Sequence, residues 1–373
     1  GLEDYEKYLN ACVSASETFM NESGYTLYKS GSTPYRDLFA SINLQADEVI
    51  FGRDYEASLS VLHNVQNYEN STTMGRPGMN KKIVNSYLMA DGSRFTDKAG
   101  YETMTFDQEC QNRDPRLAQT IRTPGYTRIG STKKEAPNLA YTMTGYHLIK
   151  YSMTANYDEY NKSCNDIPLF RTAEVYLNFA EAKAELGTLK QADINKSIKL
   201  LRDRVGMTNL DMELANSKPD PYLMSAATGY PNVKGANQGV ILEIRRERTI
   251  ELAMEGFRYY DIMRWKEGKL FENDLLGIYV PGPGTYDLDK DGTDDVCFYV
   301  GTKPAGNVPL YLEIGEQIRL SNGESGYIIC HSLITKKWNE DRDYLYPVPI
   351  SERTLSNGVI TQNPGWNDGL NFN

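Results

Sequence analysis

The chain has 373 residues, of which 40% are hydrophobic and 24% are charged, a composition typical of globular proteins with a sizeable core. Its net charge of −10 disfavours nucleic acid as a ligand, because phosphate binding depends on a basic stripe and the sequence contains none. Five widely spaced cysteines without a CxxC pair indicate neither a zinc site nor a disulfide framework, so buried free thiols are expected.

Signals for membrane insertion and export are not found in the sequence. No apolar run approaches the roughly 18 residues that would span a bilayer. The opening residues, GLEDYEKYLN, have neither the basic nor the apolar region of a signal peptide. Composition therefore leaves two alternatives, a cytoplasmic protein and a chain that has been processed or truncated.

The first 60 residues are expected to form a helical segment and a short strand. Residues 1–20 predict a helix that ends in a turn at Asn21–Gly24, and DLFASINLQADEVIFG (37–52) predicts a short helix followed by a strand-like EVIF. Residues 61–166 are polar and punctuated by Gly and Pro, in MGRPGMN, NRDPR and TPGY, so they predict an irregular region with little regular structure.

The strongest helical signal lies in residues 167–206. In TAEVYLNFAEAKAELG (172–187) two apolar lines run along one helix, which predicts burial on both sides, and Gly187 is expected just past its end. ADINKSIKLLRDRVGM (192–207) predicts a second helix. Two antiparallel helices with a short Gly-containing turn have the length and layout of one tetratricopeptide-like unit, which needs partner helices to bury its faces.

Two later regions are rich in Gly, Pro, Asp and Asn, and they predict long insertions on this helical frame. The first covers residues 207–237, and the second covers residues 277–330 within a loop-rich C-terminal region, residues 273–373. Loops of this length are usually functional or disordered, so these regions are candidates for ligand specificity.

Between these insertions, residues 238–272 predict one framework helix, which includes ERTIELAMEGFRYYDIMRWKEG (247–268). Its apolar side chains follow the i, i+3, i+4, i+7 pattern of an amphipathic helix. The residues of this stripe are Ile250, Ala253, Met254 and Phe257. Trp265, in the same stretch, is expected to be buried.

Four carboxylates recur every fourth residue along this helix, from Glu243 to Glu255. Arginines three residues from them are expected to form the ion pairs Arg246–Glu243, Arg248–Glu251 and Arg258–Glu255. A nearby guanidinium lowers the pKa of a carboxyl, which removes that carboxyl from general acid catalysis. The stretch is therefore interpreted as a structural ion-pair helix, and the alternative of a catalytic carboxylate pair is disfavoured.

Several stretches follow patterns that occur together in one family. Residues 247–265 follow ERRxELAFEGxRYFDLRRW, LFRTAEVYLNFAEAKAELG follows RxAEVLLNYAEAxxxLG, and INKSIKLLRDRVGM follows IN-x-x-R-x-RAG. YLYPVPISERTLSNGVITQNPGW (344–366) follows YLYPIPxxExxxNxxxxQNPGW, and SYLMADGSRF and NRDPRLAQTI match middle motifs of the same family. In this order, over nearly the whole chain, the motifs resemble the SusD/RagB family of outer-membrane nutrient-binding lipoproteins of Bacteroidetes.

This resemblance implies a mainly α fold with tetratricopeptide-like helix pairs, long irregular loops and a few short strands, in one SusD-like domain over residues 1–373. It implies that residues 61–166 face the ligand, and it implies no catalysis and no required cofactor. It further implies an oligosaccharide or polysaccharide as ligand and a SusC-like TonB-dependent transporter as partner. The family's signal peptide, lipidated cysteine and N-terminal helical region are not matched, so the chain is expected to be the later portion of a surface-exposed protein with a lipid anchor in the outer membrane.

Sugar binding needs flat aromatic faces for C–H surfaces and amide or guanidinium groups for hydroxyls. The loop HNVQNYENSTTMGR (63–76) offers this mixture, and Trp338 lies outside the family motifs, free to act as a platform. For each residue taken singly, a polar surface loop with an incidental side chain is the alternative. The predicted ligand residues are Tyr55, Asn64, Asn67, Tyr68, Arg76, Tyr101 and Trp338.

YDLDKDGTDDVCF (286–298) contains the first nine positions of a DxDxDG calcium loop, in which oxygen ligands at alternate residues wrap a hard cation. The expected ligands are Asp287, Asp289, Asp291, Thr293 and Asp295. Phe298 occupies the twelfth position, where a bidentate Glu is expected, and the strand-like VCFYV replaces the following helix. Calcium at modest affinity and a plain acidic turn between two strands remain alternatives.

The favoured hypothesis for function is a non-enzymatic glycan-binding surface lipoprotein. A tetratricopeptide-like scaffold for peptides or proteins is the alternative, and it predicts no affinity for sugars. A glycoside hydrolase is a third hypothesis, which predicts release of sugar from a polysaccharide. The family resemblance and the expected pairing of the acids with arginines both favour the first hypothesis.

Overall fold

The structure is a computed structural model and describes residues 4–372. The predicted helix over residues 1–20 is confirmed from Tyr5 onward, its first three residues lying outside the described part. The α-helices are α1 (Tyr5–Glu22), α2 (Pro34–Ala40), α3 (Val65–Glu69), α4 (Lys81–Ser86), α5 (Phe106–Glu109), α6 (Pro115–Ala118), α7 (Thr172–Glu185), α8 (Gln191–Asn195), α9 (Ile198–Arg204), α10 (Met212–Ser217), α11 (Pro221–Met224), α12 (Gln238–Glu251), α13 (Phe257–Arg264) and α14 (Ile350–Leu355).

Strands are short and form small sheets. They are β1 (Val49–Arg53), β2 (Ile167–Arg171), β3 (Leu275–Val280), β4 (Gly284–Tyr286), β5 (Val296–Tyr299), β6 (Leu310–Glu313) and β7 (Gly326–Cys330). β1 pairs with β2 and β3 pairs with β7, both antiparallel, while β5 pairs antiparallel with β4 and parallel with β6. The expectation of a mainly helical fold with a few short strands is therefore confirmed.

Helix α7 is a centre of helical packing. Its buried residues come from both predicted apolar lines, including Leu177 and Ala180 from one line and Phe179 and Ala182 from the other. α1 and α12 both pack against it, which confirms the expected burial on two sides. Gly187 follows the helix with φ +69°, a left-handed conformation that ends a helix without strain when the residue is glycine.

The second helix of the predicted pair is interrupted, so the expectation of one continuous helix is wrong. α8 and α9 are separated at Ser197, whose backbone lies at φ −134° and ψ −89°. The hydroxyl of Ser197 donates to the carbonyl of Asp193 at 2.6 Å and stabilises the break. The predicted stripe is nevertheless fully buried at Ile194, Ile198 and Leu201, because both short helices keep the same face toward the core.

The predicted single framework helix is also wrong, because α12 ends at Glu251 and α13 begins only at Phe257. The chain between them adopts left-handed conformations at Met254, with φ +65°, and at Gly256, with φ +85°. The buried ammonium of Lys150 donates to the freed carbonyl of Ala253 at 2.6 Å. A tertiary contact from a distant segment thus supplies a hydrogen bond to a carbonyl freed by the break, and this contact overrides the helical pattern of the sequence.

The carboxylates of this region are paired with basic groups from other segments. Glu251 is fully buried and accepts from Arg171 at 2.8 Å, from Arg116 at 3.1 Å and from Arg204. We call this set the framework network, and its members are Glu48, Arg116, Lys150, Arg171, Arg204, Glu247, Glu251 and Glu255. It joins α12 to β2, α6, α9 and Glu48, the residue just before β1, so it acts as an internal clamp.

Of the ion pairs predicted within the helix, Arg246–Glu243 is confirmed, with its nitrogen and oxygen 2.6 Å apart. The other two are wrong. Arg248 pairs with Asp261 at 2.8 Å, and Arg258 donates to the hydroxyl of Tyr230 at 2.7 Å. The spacing in the sequence correctly indicates that the helix charges are neutralised, but most of the neutralising partners come from other segments of the fold.

The irregular region is anchored on the C-terminal strands by one hydrophobic cluster. Tyr87 and Tyr146, from the irregular region, pack in the same cluster as Ile278, Phe298 and Ile328. The cysteines are free, three of them buried, while Cys12 and Cys110 are only half-buried. Within residues 4–372 no helix is both long and apolar enough to cross a lipid bilayer.

Candidate functional site

Two clefts adjoin a surface ridge formed by residues 133–143. Each cleft has a volume of about 450 Å³, within the range of roughly 300–1,000 Å³ that small-molecule sites occupy. The buried residue Leu139 lines both clefts, so they meet at the ridge. We call the first the Arg76 cleft, after the predicted ligand residue that lines it, and the second the acidic-loop cleft, after the acidic loop of residues 287–295.

Local hydrogen bonds hold the ridge in place. The amide of Glu135 donates to the carbonyl of Tyr126 at 3.0 Å, which closes the turn that leads into the ridge. The amide of Asn138 donates to the ring of His147 at 3.2 Å, and its side-chain oxygen accepts from the amide of Ala140 at 2.8 Å. An Asn side chain that caps its own turn in this way fixes an irregular backbone without regular secondary structure.

Arg76 is fixed at the edge of its cleft by backbone contacts. Its Nη2 donates to the carbonyl of Leu139 at 2.6 Å, and its own carbonyl accepts from the amide of Met143 at 3.0 Å. Its backbone is left-handed, with φ +50°, and His331 on the same cleft has φ +55°. Such conformations cost a non-glycine residue about 1–3 kcal/mol and cluster at binding sites, where they pre-position side chains.

The facing wall of the Arg76 cleft comes from the segment between β6 and β7. Glu316, Gln317 and Arg319 expose their side chains along this wall. Beneath them the floor is apolar, with Leu312 and Ile328 buried. A polar rim above an apolar floor is the usual arrangement of sites for polar small molecules.

The thiol that lines this cleft is not an activated nucleophile. Its one thiol, Cys330, is buried and donates to the carbonyl of Met143 at 3.3 Å. Burial raises the pKa of this thiol to about 11, so it is protonated at neutral pH. The charged and hydrogen-bonding side chains on the rim support recognition of a polar ligand.

The acidic loop is a tight connection between β4 and β5. The amide of Leu288 donates to Asp295 at 2.7 Å, and the amide of Gly292 donates to Asp287 at 2.9 Å. Gly292 has φ +93°, which is the sharp turn that the DxDxDG pattern requires of its glycine. Carboxylate oxygens of Asp287, Asp289 and Asp295 lie within 4.8 Å of one another.

This acidic triad could hold an ion. Burial, reinforced by the charge of Asp289, raises the pKa of Asp295 to about 6, and burial together with Asp291 raises the pKa of Asp289. A cation between these carboxylates would relieve their mutual repulsion. Of the other predicted ligands, Asp291 lines the cleft but lies outside the triad, and its carboxylate accepts from the amide of Thr293 at 2.8 Å. Thr293 lines the same cleft.

Next to the acidic-loop cleft lies a buried polar cluster. Arg122, which lines the cleft, pairs with Glu135 of the ridge at 3.0 Å and donates to Asn70 at 2.8 Å. The carboxyl of Glu69 accepts from the hydroxyl of Ser152 at 2.6 Å. Burial raises the pKa of Glu69 to about 7 against the opposing effect of that hydrogen bond. The sequence predicts irregular structure here, but Glu69 lies at the end of the short helix α3, which carries it into this cluster.

Four of the predicted ligand residues lie away from both clefts, beside the loop of residues 154–163. Asn64 accepts from the amide of Asn161, and buried Asn67 donates to the carbonyl of Asp158 at 2.7 Å, so both amides hold that loop. The ring of Tyr55 contacts His63, with centroids 4.4 Å apart. Tyr68 is 49% exposed.

Tyr101 and Trp338 lie in two further places. Tyr101 packs edge-on against Tyr222, with centroids 6.5 Å apart, in a shallow recess of about 420 Å³. Trp338 packs against Phe271 at 5.3 Å and Tyr344 at 5.0 Å, and its ring fills the space above Gly268. Most of the Trp338 ring is therefore packed against other aromatic rings. The same aromatic cluster also contains Tyr259, Tyr260 and Tyr346.

Trp265, expected to be buried, is confirmed as 7% exposed, and its ring nitrogen donates to Glu181 at 2.7 Å. The sequence analysis missed Arg319, Lys133 and Lys134, which line the clefts. These cations lie in loops without periodicity or motif, so no signal in the sequence distinguished them from solvated surface charges. The two predictions that the ridge does bring together, Arg76 and the acidic loop, were made from unrelated patterns.

Comparison with solved structures places the fold among SusD-like proteins. A SusD-like protein from Bacteroides fragilis matches with TM-score 0.62 and 21% identity, over 98% of this chain and 63% of that one. A SusD-like carbohydrate binding protein from the same species matches with TM-score 0.57 and 21% identity, over 94% and 61%. A SusD superfamily protein from Parabacteroides distasonis matches with TM-score 0.50 and 17% identity, over 98% and 59%.

The chain thus spans less than two thirds of the length of these solved structures. No curated protein matches it. A family model described as the SusD family matches residues 38–366, which is most of the chain. The chain therefore belongs to the SusD family, a family of non-catalytic binding proteins.

Proposed function

We propose that this chain binds an oligosaccharide or polysaccharide at the Arg76 cleft and the acidic-loop cleft. The observation that carries the proposal is the pair of ligand-sized clefts that meet at Leu139 in a chain of a binding-protein family. The description of one structural match as a carbohydrate binding protein supports a glycan as ligand. Cleft volumes of about 450 Å³ suit a small number of sugar units in each.

The side chains of the Arg76 cleft suit the polar edges of sugars. Guanidinium groups of Arg76 and Arg319 donate to hydroxyl oxygens, the Glu316 carboxylate accepts from hydroxyls, and Gln317 can do both. The apolar floor suits the C–H face of a sugar ring. No Phe, Tyr or Trp is among the described residues that line this cleft, so it offers no such ring for stacking. The exposed side chain of Tyr68 stays a predicted ligand contact outside the cleft.

The wider role follows from family membership. Capture of a glycan would serve its delivery to a SusC-like TonB-dependent transporter in the outer membrane, with the protein held at the cell surface by a lipid anchor. The absence of catalysis in this family supports a role in capture rather than digestion. Transporter partnership and lipid anchoring are parts of the proposal.

Calcium is proposed as the ion of the acidic triad. Three carboxylates on a turn with a DxDxDG pattern are hard oxygen ligands, which calcium prefers. Phe298, buried in β5, cannot supply the bidentate carboxylate of a complete calcium loop, so affinity is expected to be modest. An ion here would stiffen the loop that forms one wall of the acidic-loop cleft.

Affinity electrophoresis through gels that contain single polysaccharides tests the proposal. The expected result is retardation in at least one glycan without release of reducing ends, and loss of retardation in Arg76→Gln. Lys29→Gln removes an exposed cation remote in sequence from both clefts and serves as the matched control. Released reducing ends would contradict the non-catalytic account, and no retardation in any gel would favour a peptide ligand.

A further inference from the structure

Two cations beside the ridge differ from most arginines of the described chain because they have no acid partner. Most arginines of the described chain form ion pairs, as Arg122 does with Glu135. Among the described residues, no carboxylate oxygen lies within 4.0 Å of the side-chain nitrogens of these cations. The two are Arg76 and Arg319, which both line the Arg76 cleft.

Arg76 is held in place with unused donors. One contact, from Nη2 to the carbonyl of Leu139 at 2.6 Å, fixes the guanidinium, and its Nε is buried without a partner among the described residues. Arg319 is exposed on the facing wall, and its side chain makes no hydrogen bond within the described part. A guanidinium has five N–H donors in a fixed fork, so both residues have several donors free to meet a ligand.

Unpaired cations in a concave site attract anions more strongly than the same charges on an open surface, because the low-dielectric walls focus their field. The protein carries a net charge of −10, so carboxylates are available to pair with these residues and yet do not. Guanidinium groups recognise planar carboxylates and sulfate-like groups through two parallel hydrogen bonds.

We infer that the ligand is an anionic glycan, bearing carboxylates or sulfates that contact Arg76 and Arg319 in the Arg76 cleft. This inference rests on the proposed function and adds the charge of the substrate.

The Arg76 cleft carries the larger share of this recognition. In the acidic-loop cleft, Lys133 and Lys134 share the lining with Glu135 and the carboxylates of the acidic loop, so their charge is offset. In the Arg76 cleft, Glu316 is the one acid against two arginines among the described lining residues. Loss of an arginine should therefore weaken binding more than loss of a lysine.

Calorimetric titration with matched pairs of glycans tests the inference. Short oligogalacturonate and its methyl ester differ in carboxylate charge, and dextran sulfate oligomers and dextran oligomers differ in sulfate charge. We expect one charged member to bind at least tenfold more tightly than its neutral twin, and the pair that responds identifies carboxylate or sulfate. Arg319→Gln should weaken that binding about tenfold, the loss of one charge-assisted hydrogen bond.

Arg319 is exposed, so this variant folds whether or not Arg76→Gln does, and Lys29→Gln is the matched control. Binding of the charged and neutral twins with equal affinity would overturn the inference while leaving glycan binding intact. Charged binding that Arg319→Gln and Arg76→Gln both leave unchanged would overturn the placement at this cleft. Failure of the folded protein to bind any glycan would overturn the inference and the proposed function together.

Discussion

The framework network and the ridge clefts are both rich in arginine, and they use it in opposite ways. In the framework network each guanidinium is buried and meets carboxylates, as Arg171 meets Glu48, Glu251 and Glu255 at 2.7–2.8 Å. At the Arg76 cleft, Arg76 and Arg319 meet none within the described residues. Charge that is paired inside the protein stabilises the fold, while charge left unpaired in a cleft is available to a ligand.

The largest effect is expected from breaking the framework network. Burial alone would raise the pKa of Glu251, but Arg204, Arg171 and Arg116 outweigh it and hold that pKa well below its ordinary value. Glu251→Gln removes the charge and leaves three buried arginines undercompensated. We expect the free energy of unfolding to fall by about 3–5 kcal/mol, measured by chemical denaturation at pH 7.

The matched control for this variant is an exposed ion pair. Lys199 and Asp203 are paired with side chains 42% and 39% exposed, so Asp203→Asn should change the free energy of unfolding by no more than about 0.5 kcal/mol. Equal effects of Glu251→Gln and Asp203→Asn would contradict the clamp role of the network.

A pH-dependent effect of about 3 kcal/mol is expected at Glu69. Burial raises the pKa of Glu69 to about 7 in the folded state, so folding stability from this group is present below its ordinary pKa near 4.5 and is lost as the pH rises through 7. Glu69→Gln lacks this titration. As the pH rises from 4.5 to 8, the free energy of unfolding of the variant should increase by about 3 kcal/mol relative to that of the parent. This follows from about 1.4 kcal/mol per unit of pKa shift.

Denaturation curves at several pH values measure this difference. The opposite trend is expected for Glu251, whose lowered pKa gives stability that is present above about pH 4.5 and lost in acid. A constant difference between Glu69→Gln and the parent across this range would show that Glu69 is charged in the folded protein.

Calcium should stabilise the parent by about 2.7 kcal/mol at a concentration of 100 times its Kd, because it binds the folded loop. Asp289→Asn removes one ligand of the triad and should abolish the rise in melting temperature. Asp294→Asn changes an exposed acid of the same loop outside the triad and is the control. The stabilisation should shrink below about pH 6, where protons compete for Asp295.

A calcium response that Asp289→Asn and Asp294→Asn reduce equally would place the ion elsewhere or show general screening. No response at any calcium concentration would leave the loop as an acidic turn between β4 and β5.

The smallest effect is expected from salt. Raising ionic strength from about 0.01 M to about 1 M shortens the screening length from about 30 Å to about 3 Å. Affinity for an anionic glycan should fall several-fold, since the cations at the ridge are near solvent, whereas the stability difference between Glu251→Gln and the parent should stay constant. Calorimetry and denaturation at both salt concentrations check the two halves of this prediction.

Features that depend on local sequence were predictable. The burial of α7 follows from its two apolar lines, and the tight acidic loop follows from the DxDxDG spacing with Gly292 at its turn. Interruption of the framework helix was not predictable, because it depends on Lys150 reaching Ala253 from a distant segment. Only part of the Arg76 cleft was predictable from the sequence. Arg76 belongs to a polar loop that suggested ligand binding, whereas Arg319 lies in the segment between β6 and β7, where no pattern pointed to a site.

The central claim is that unpaired arginines at the Arg76 cleft bind the ligand and paired arginines hold the fold. Calorimetric titration of the Arg76→Gln, Arg319→Gln double variant, with a glycan that the parent binds, tests it most directly. The account predicts affinity about 100-fold weaker, at about tenfold for each guanidinium, with little change in the unfolding midpoint. Unchanged affinity in a folded double variant would contradict it.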